Sequence, residues 1–137
     1  MIISQTPFRI SMFGGSTDYG NYYKQHGSLL IGFAIDKYCY TNVRWTPGIL
    51  DYNTKICYAK TELVDNNKYV KHNGVRGVLE FLKIRQGVEI VHLSDLPSQT
   101  GIGSSSSFIV GLLNSFYSLS GEPVSKKRLA KEAIHIE

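Results

Sequence analysis

The chain has 137 residues, 42% of them hydrophobic and 19% charged, and carries a formal net charge of +4. That is enough apolar material for one domain with a core, and too little charge for an intrinsically disordered segment. Lys and Arg are scattered apart from Lys126, Lys127, Arg128 and Lys131, which read as a solvated helix face; this balance suits a small anionic partner and argues against a nucleic-acid module.

Ile2–Ser11 is β-prone with Pro7 inside it, which points to an edge strand or a bulge. Phe13–Gly20 reads Phe-Gly-Gly-Ser-Thr-Asp-Tyr-Gly, a turn-rich loop bracketed by Arg9 and Asp18. Alone, those two residues fit a surface ion pair and an Asx-turn or cap as well as they fit a site. Gly27–Tyr40 is strongly apolar and predicts a buried strand, which Cys39–Trp45 continues with alternation. A turn follows at Thr46-Pro47-Gly48, then a strand over Thr54–Ala59 and a polar loop over Asp65–Asn73. The spacing of Val75, Val78, Leu79 and Leu82 predicts a helix over Asn73–Leu82. Val88–Leu93 is a strand with Glu89 and His92 on opposite faces, and His92 reads as a satisfied polar residue rather than a metal ligand. A helix is expected over Ser105–Leu119, stopped by Ser120-Gly121-Glu122-Pro123, and another from Ser125, its N-cap, to Glu137. The order is not a regular β-α-β alternation, so the expected class is α+β with a mixed sheet.

Cys39 and Cys57 lack metal-ligand spacing and a disulfide framework, and are read as reduced thiols of a cytosolic protein. The first residues do not read as a signal peptide, and no apolar run reaches the roughly 18 residues of a membrane span. The last helix has no Gly, Asn or Pro to stop it, so a chain truncated at its C-terminal end is expected.

The stretch Pro97-Ser-Gln-Thr-Gly-Ile-Gly-Ser-Ser-Ser-Ser107 joins the predicted strand to the apolar helix. Bare N–H groups and the positive end of a helix grip anions, most often phosphate. It is not a P-loop, because no Lys follows Gly103, and not a dinucleotide fingerprint, because Ser106 stands where the third Gly belongs. Pro97 would set the exit from the strand, and Gly101 and Gly103 would turn N–H groups inward. Ser104 and Ser105 would offer hydroxyls to phosphate or to Mg²⁺, a hard cation that prefers oxygen. The competing reading is a flexible Gly/Ser linker, which rarely runs straight into so apolar a helix.

Pro97–Ser105 resembles the second signature motif of the GHMP kinases, and Thr6-Pro7-Phe8-Arg9 through Gly14-Gly15-Ser16-Thr17-Asp18 resembles the first. Within the family the wording is similar to the bacterial D-glycero-D-manno-heptose phosphate kinases, which share the Phe-Gly-Gly-x-Thr-Asp-Tyr, Ile-Asp-Lys-Tyr-Cys-Tyr and Glu-Ala-Ile-His-Ile-Glu stretches. The resemblance implies an ATP-binding N-terminal domain over residues 1–137, with a ribosomal-protein-like α+β fold and without the ferredoxin-like C-terminal domain. It implies that Pro97, Ser98, Gly101, Ile102, Gly103, Ser104, Ser105 and Ser106 hold ATP. Mg²⁺ would sit on Ser105 and Glu137, and Arg9 beside the transferred phosphoryl group. Gly14, Gly15, Thr17 and Asp18 would form part of the sugar site, with Gly15 standing where galactokinases have Glu. The family's proposed base, an Asp in a glycine-rich segment beyond that Glu, is not in this sequence. The activity expected is phosphorylation of a sugar or sugar phosphate, heptose 7-phosphate in type. The alternatives are a fragment without catalysis and a nucleic-acid-binding module of related fold.

Overall fold

A computed structural model describes residues 1–97 and 100–137. Five strands form one mixed sheet in the order β1-β2-β5-β3-β4: β1 (Ile2–Phe13), β2 (Ile31–Trp45), β3 (Thr54–Cys57), β4 (Thr61–Val64) and β5 (Val88–Ser94). All neighbours are antiparallel except β3 and β5. The helices are α1 (Gly20–His26), α2 (Asn73–Phe81), α3 (Ser104–Leu119) and α4 (Lys126–Ile136), with a 3₁₀ turn at Asn67–Tyr69. The expected α+β class with a mixed sheet is therefore observed.

Alternation along the strands decides which sheet face is covered. Ser4 and Phe8 of β1, Cys39, Thr41 and Val43 of β2, Thr54 and Ile56 of β3, and Val88 and Ile90 of β5 are all buried. The central helix α3 lies on β1 and β2 and is flanked by α2 and α4. It is buried nearly all round, through Phe108, Ile109, Leu112, Leu113, Phe116 and Tyr117, which is why the sequence shows an almost continuous apolar run. It settles closely on the sheet at Gly111, where a Cβ would stand 2.7 Å from Thr6 Oγ1 and 2.9 Å from Thr41 Oγ1. Burial beneath this layer raises the Cys39 thiol to about 11, and neither cysteine is in a disulfide.

Pro7 sits in an edge strand, and the register with β2 shifts between Pro7 and Arg9. Both outcomes expected of a proline in a strand thus occur together. Ser125 caps α4 by accepting from Arg128 N, as anticipated, and α3 stops at Ser120 with Gly121 at φ 71°.

The stretch Gly27–Tyr40 is a correction. The strand begins only at Ile31, and Leu29, Ile31 and Phe33 are 82%, 55% and 48% exposed. The reason lies in the pairing: β5 joins β2 only over Cys39–Trp45, so Ile31–Tyr38 and the second half of β1 run on as a two-stranded ribbon. Two elements were also not anticipated. Helix α1 buries no residue and has no side-chain cap, and β4 is four residues long at the far sheet edge. Smaller shifts affect β1, which extends to Phe13, β3, which ends at Cys57, and α3, which starts one residue earlier, at Ser104.

Candidate functional site

The bulge in β1 places Arg9 at the glycine-serine loop. Arg9 N–H donates to the Ile102 carbonyl at 3.2 Å, and its side chain lies over Gly103, whose added Cβ would stand 3.2 Å from the guanidinium carbon. Gly101 and Gly103 have φ of +74° and +72°, the left-handed region that other residues enter only with strain. Gly103 is the N-cap of α3 and supplies no side chain for capping. The Ser107 N–H already bonds to the Gly103 carbonyl, so the N–H groups of Ser104, Ser105 and Ser106 open the helix without intrahelical partners. The loop therefore combines the positive end of a 16-residue helix with an exposed guanidinium, an arrangement that favours an anion.

The four serines have different surroundings. Ser104 is half-buried and Ser105 exposed. Ser106 Oγ donates to the Glu137 carboxylate, 3.0 Å from Oε1 and 2.8 Å from Oε2. Ser107 Oγ donates to the Pro7 carbonyl at 3.1 Å. Glu137 thus meets Ser106, one residue beyond the serine that the resemblance names with it as a Mg²⁺ ligand. Ser107 was not anticipated; its signal was the bulge expected at Pro7, which leaves a strand carbonyl in need of a donor. Pro97 is exposed, and its carbonyl accepts from Thr100 Oγ1. Ser98 lies outside the described residues.

The other predicted loop stands further along β1. Thr17 closes it, its N–H and Oγ1 both donating to the Gly14 carbonyl at 3.1 and 2.6 Å, and Thr17 Oγ1 also meets Ser28 Oγ at 2.9 Å. Gly14 is held at φ +81° with the Leu29 carbonyl oxygen only 2.0 Å from where a Cβ would be. Gly15 and Asp18 are exposed. Asp18 does not cap α1, whose N-cap is Tyr19, and it forms no ion pair among the described residues. Arg9 is thus in contact with the glycine-serine loop, and among the described residues no hydrogen bond joins the Gly14–Asp18 turn to either.

Behind the loop lies an aromatic stack. Phe108 of α3 packs on His92 of β5 at 4.6 Å and on His72 at 5.2 Å, and Tyr58 meets His72 edge-on at 4.9 Å. His72 Nδ1 accepts the Val75 N–H and so caps α2. Burial lowers the pKa of both imidazoles, with the neighbouring His72 adding to the effect on His92. His92 is thus packed against the Phe108 ring.

All the donors gathered at Ser104–Ser106 and Glu137 are oxygens, which fits a hard divalent cation. Among the described residues, no group of three or more His, Cys, Asp and Glu side chains could hold a metal by themselves. A cation here would need oxygens from a bound phosphate as well, the usual situation of Mg²⁺. No helix among the described residues is long and apolar enough to cross a membrane.

Residues 68–137 match the family described as the GHMP kinases N terminal domain. A D-glycero-alpha-D-manno-heptose 7-phosphate kinase of Campylobacter jejuni is 28% identical over 145 residues, covering 99% of this chain and 43% of the relative. A galactokinase of Pyrococcus furiosus is 32% identical over 144 residues, covering 96% and 38%. Among solved structures, a D-glycero-D-manno-heptose 1-phosphate kinase from Bacteroides thetaiotaomicron superposes with a TM-score of 0.82 at 21% identity, over 100% of this chain and 48% of that one. The Methanococcus jannaschii mevalonate kinase gives 0.75 at 20% identity, over 99% and 45%. The chain spans less than half the length of the relatives it matches.

Proposed function

Since this chain belongs to the GHMP kinases, we propose that it supplies the ATP-binding half of a sugar or sugar-phosphate kinase, with a heptose 7-phosphate-type acceptor. The observation that carries the proposal is the union of Arg9 with the N-terminus of α3. An ATP phosphate seated there would accept from the free N–H groups of Ser104, Ser105 and Ser106 and from the Arg9 guanidinium. The similarity of wording to heptose kinases is what favours that acceptor, and the 28% identical relative is named for the 7-phosphate.

Phosphoryl transfer is mostly positioning and neutralisation of charge, with little covalent work for the protein. In this reading Arg9 and the helix end lie against the phosphate chain and hold the oxygens whose charge grows during transfer. The Gly14–Asp18 turn, with the exposed Asp18 carboxylate, accepts hydrogen bonds from the sugar and sets which hydroxyl faces the donor. Mg²⁺ would be held by Ser105 and Glu137 and would supply charge neutralisation on the phosphates.

The test is a transfer assay with ATP, Mg²⁺ and a panel of free and phosphorylated sugars. It is run on this chain and on a fusion carrying the C-terminal part of the Campylobacter relative. Transfer to a heptose 7-phosphate by the fusion is the expected result. Transfer only to another sugar would overturn the acceptor, and no transfer from either protein would overturn the kinase reading.

A further inference from the structure

The four consecutive serines at the start of α3 point round the helix at about 100° per residue, and their hydroxyls go to different places. The Ser107 proton goes to the Pro7 carbonyl, and the Ser106 proton is shared between the two oxygens of Glu137. Those two serines tie the loop to β1 and to the end of α4, across 100 and 31 residues of sequence respectively. Ser104 and Ser105 donate no hydrogen bond from their side chains to another described residue, which leaves their hydroxyls for a ligand.

We infer that Ser106 is a positioning residue: its hydroxyl orients the Glu137 carboxylate toward the anion loop, and so sets how tightly a divalent cation is held with the nucleotide. This rests on the nucleotide reading above. The physical need is plain. Glu137 follows the last turn of α4, held by its own N–H to the Ala133 carbonyl. Without a partner its long side chain samples several rotamers, and ordering it for a metal costs conformational entropy. A hydroxyl on the neighbouring helix that donates to the carboxylate removes part of that cost before the metal arrives. Hydrogen bonds that orient a metal ligand are worth roughly 10–100-fold in metal affinity. Ser106 can still offer its backbone N–H to a phosphate, so the two roles do not compete.

The experiment is calorimetric binding of the non-hydrolysable β,γ-imido analogue of ATP to the full chain, at a series of Mg²⁺ concentrations and in EDTA. Ser106→Ala is expected to raise the Mg²⁺ concentration for half-maximal tightening about tenfold, with affinity in EDTA unchanged. Ser106→Thr, which keeps the hydroxyl, is expected to restore the wild-type Mg²⁺ dependence. Equal Mg²⁺ dependence in wild type and Ser106→Ala would overturn the positioning role while leaving the nucleotide reading intact. An equal loss of affinity with and without Mg²⁺ would also overturn it, making Ser106 a phosphate contact or a packing residue. Absence of analogue binding by wild type would overturn the nucleotide reading and this assignment with it.

Discussion

Gly103 leaves the least room for change at the site, because two constraints coincide on it. Its φ of +72° strains any L side chain, and a Cβ would press on the Arg9 guanidinium at 3.2 Å. Gly103→Ala should cost about 1–2 kcal/mol from the backbone alone, read as a lowered midpoint in urea, and should weaken nucleotide binding further by moving Arg9. An unchanged midpoint would show that the loop adopts another conformation. The histidine pair makes a separate prediction with a definite sign. His72 and His92 have pKa values lowered by burial, so the unfolded chain binds more protons than the folded one below about pH 6.5, the ordinary histidine value. Their contribution to stability is complete above that pH and is lost as pH falls through the lowered folded values. Protonation of His72 would also remove the acceptor for the Val75 N–H. Denaturation midpoints should therefore fall between pH 7.5 and 5.5, and less steeply in His92→Phe, a substitution that keeps an aromatic ring against Phe108. A slope identical in the two proteins would take His92 out of the account.

Among the elements, α3 carries both the core and the site, and it was legible in advance. Its apolar run, the glycines before it and Gly121 after it are local signals that agree. Leu112 is fully buried at its centre, so Leu112→Ala should cost about 2–5 kcal/mol, measured by chemical denaturation, and a loss below about 1 kcal/mol would contradict the packing described. Helix α4 was legible through Ser125, where Ser125→Ala should cost about 1 kcal/mol. What was not legible had no local signal. Gly20–His26 lacks an apolar stripe because it buries nothing, and Thr61–Val64 is a short edge strand whose Leu63 faces solvent. Leu29–Phe33 was misjudged for the opposite reason. A continuous apolar run reads as buried whatever covers it, and the sheet order that leaves it open depends on residues far along the chain. The turns at Gly14, Gly101 and Gly103 were legible as glycine-dependent backbone, each with a positive φ. The partnership of Ser106 with Glu137 was not, because it needs the packing of α3 on α4.

At the scale of the whole molecule, the helical layer covers one end of the sheet more fully than the other. Beyond α3, the ribbon exposes Ile10, Met12, Phe13, Ile31 and Phe33, and the segment leading into it exposes Leu29 and Leu30, more apolar surface than scattered single residues would make. The chain should accordingly bind an apolar fluorescent dye while fully folded. Replacing Phe13 and Leu29 together with Ser should lower that fluorescence without moving the denaturation midpoint by more than about 0.5 kcal/mol equivalent, as for other surface changes. Undiminished fluorescence would place the dye elsewhere. The same asymmetry sets the central claim, since the anion loop, Arg9 and Glu137 gather where α3 begins and α4 ends. Amide chemical-shift mapping with ATP and Mg²⁺ tests it most directly, because it needs only this chain and reports residue by residue. The account predicts that the Gly101, Gly103, Ser104, Ser105 and Ser106 amides, with that of Arg9, shift together and saturably. Saturable binding that leaves those amides in place and moves others would contradict it.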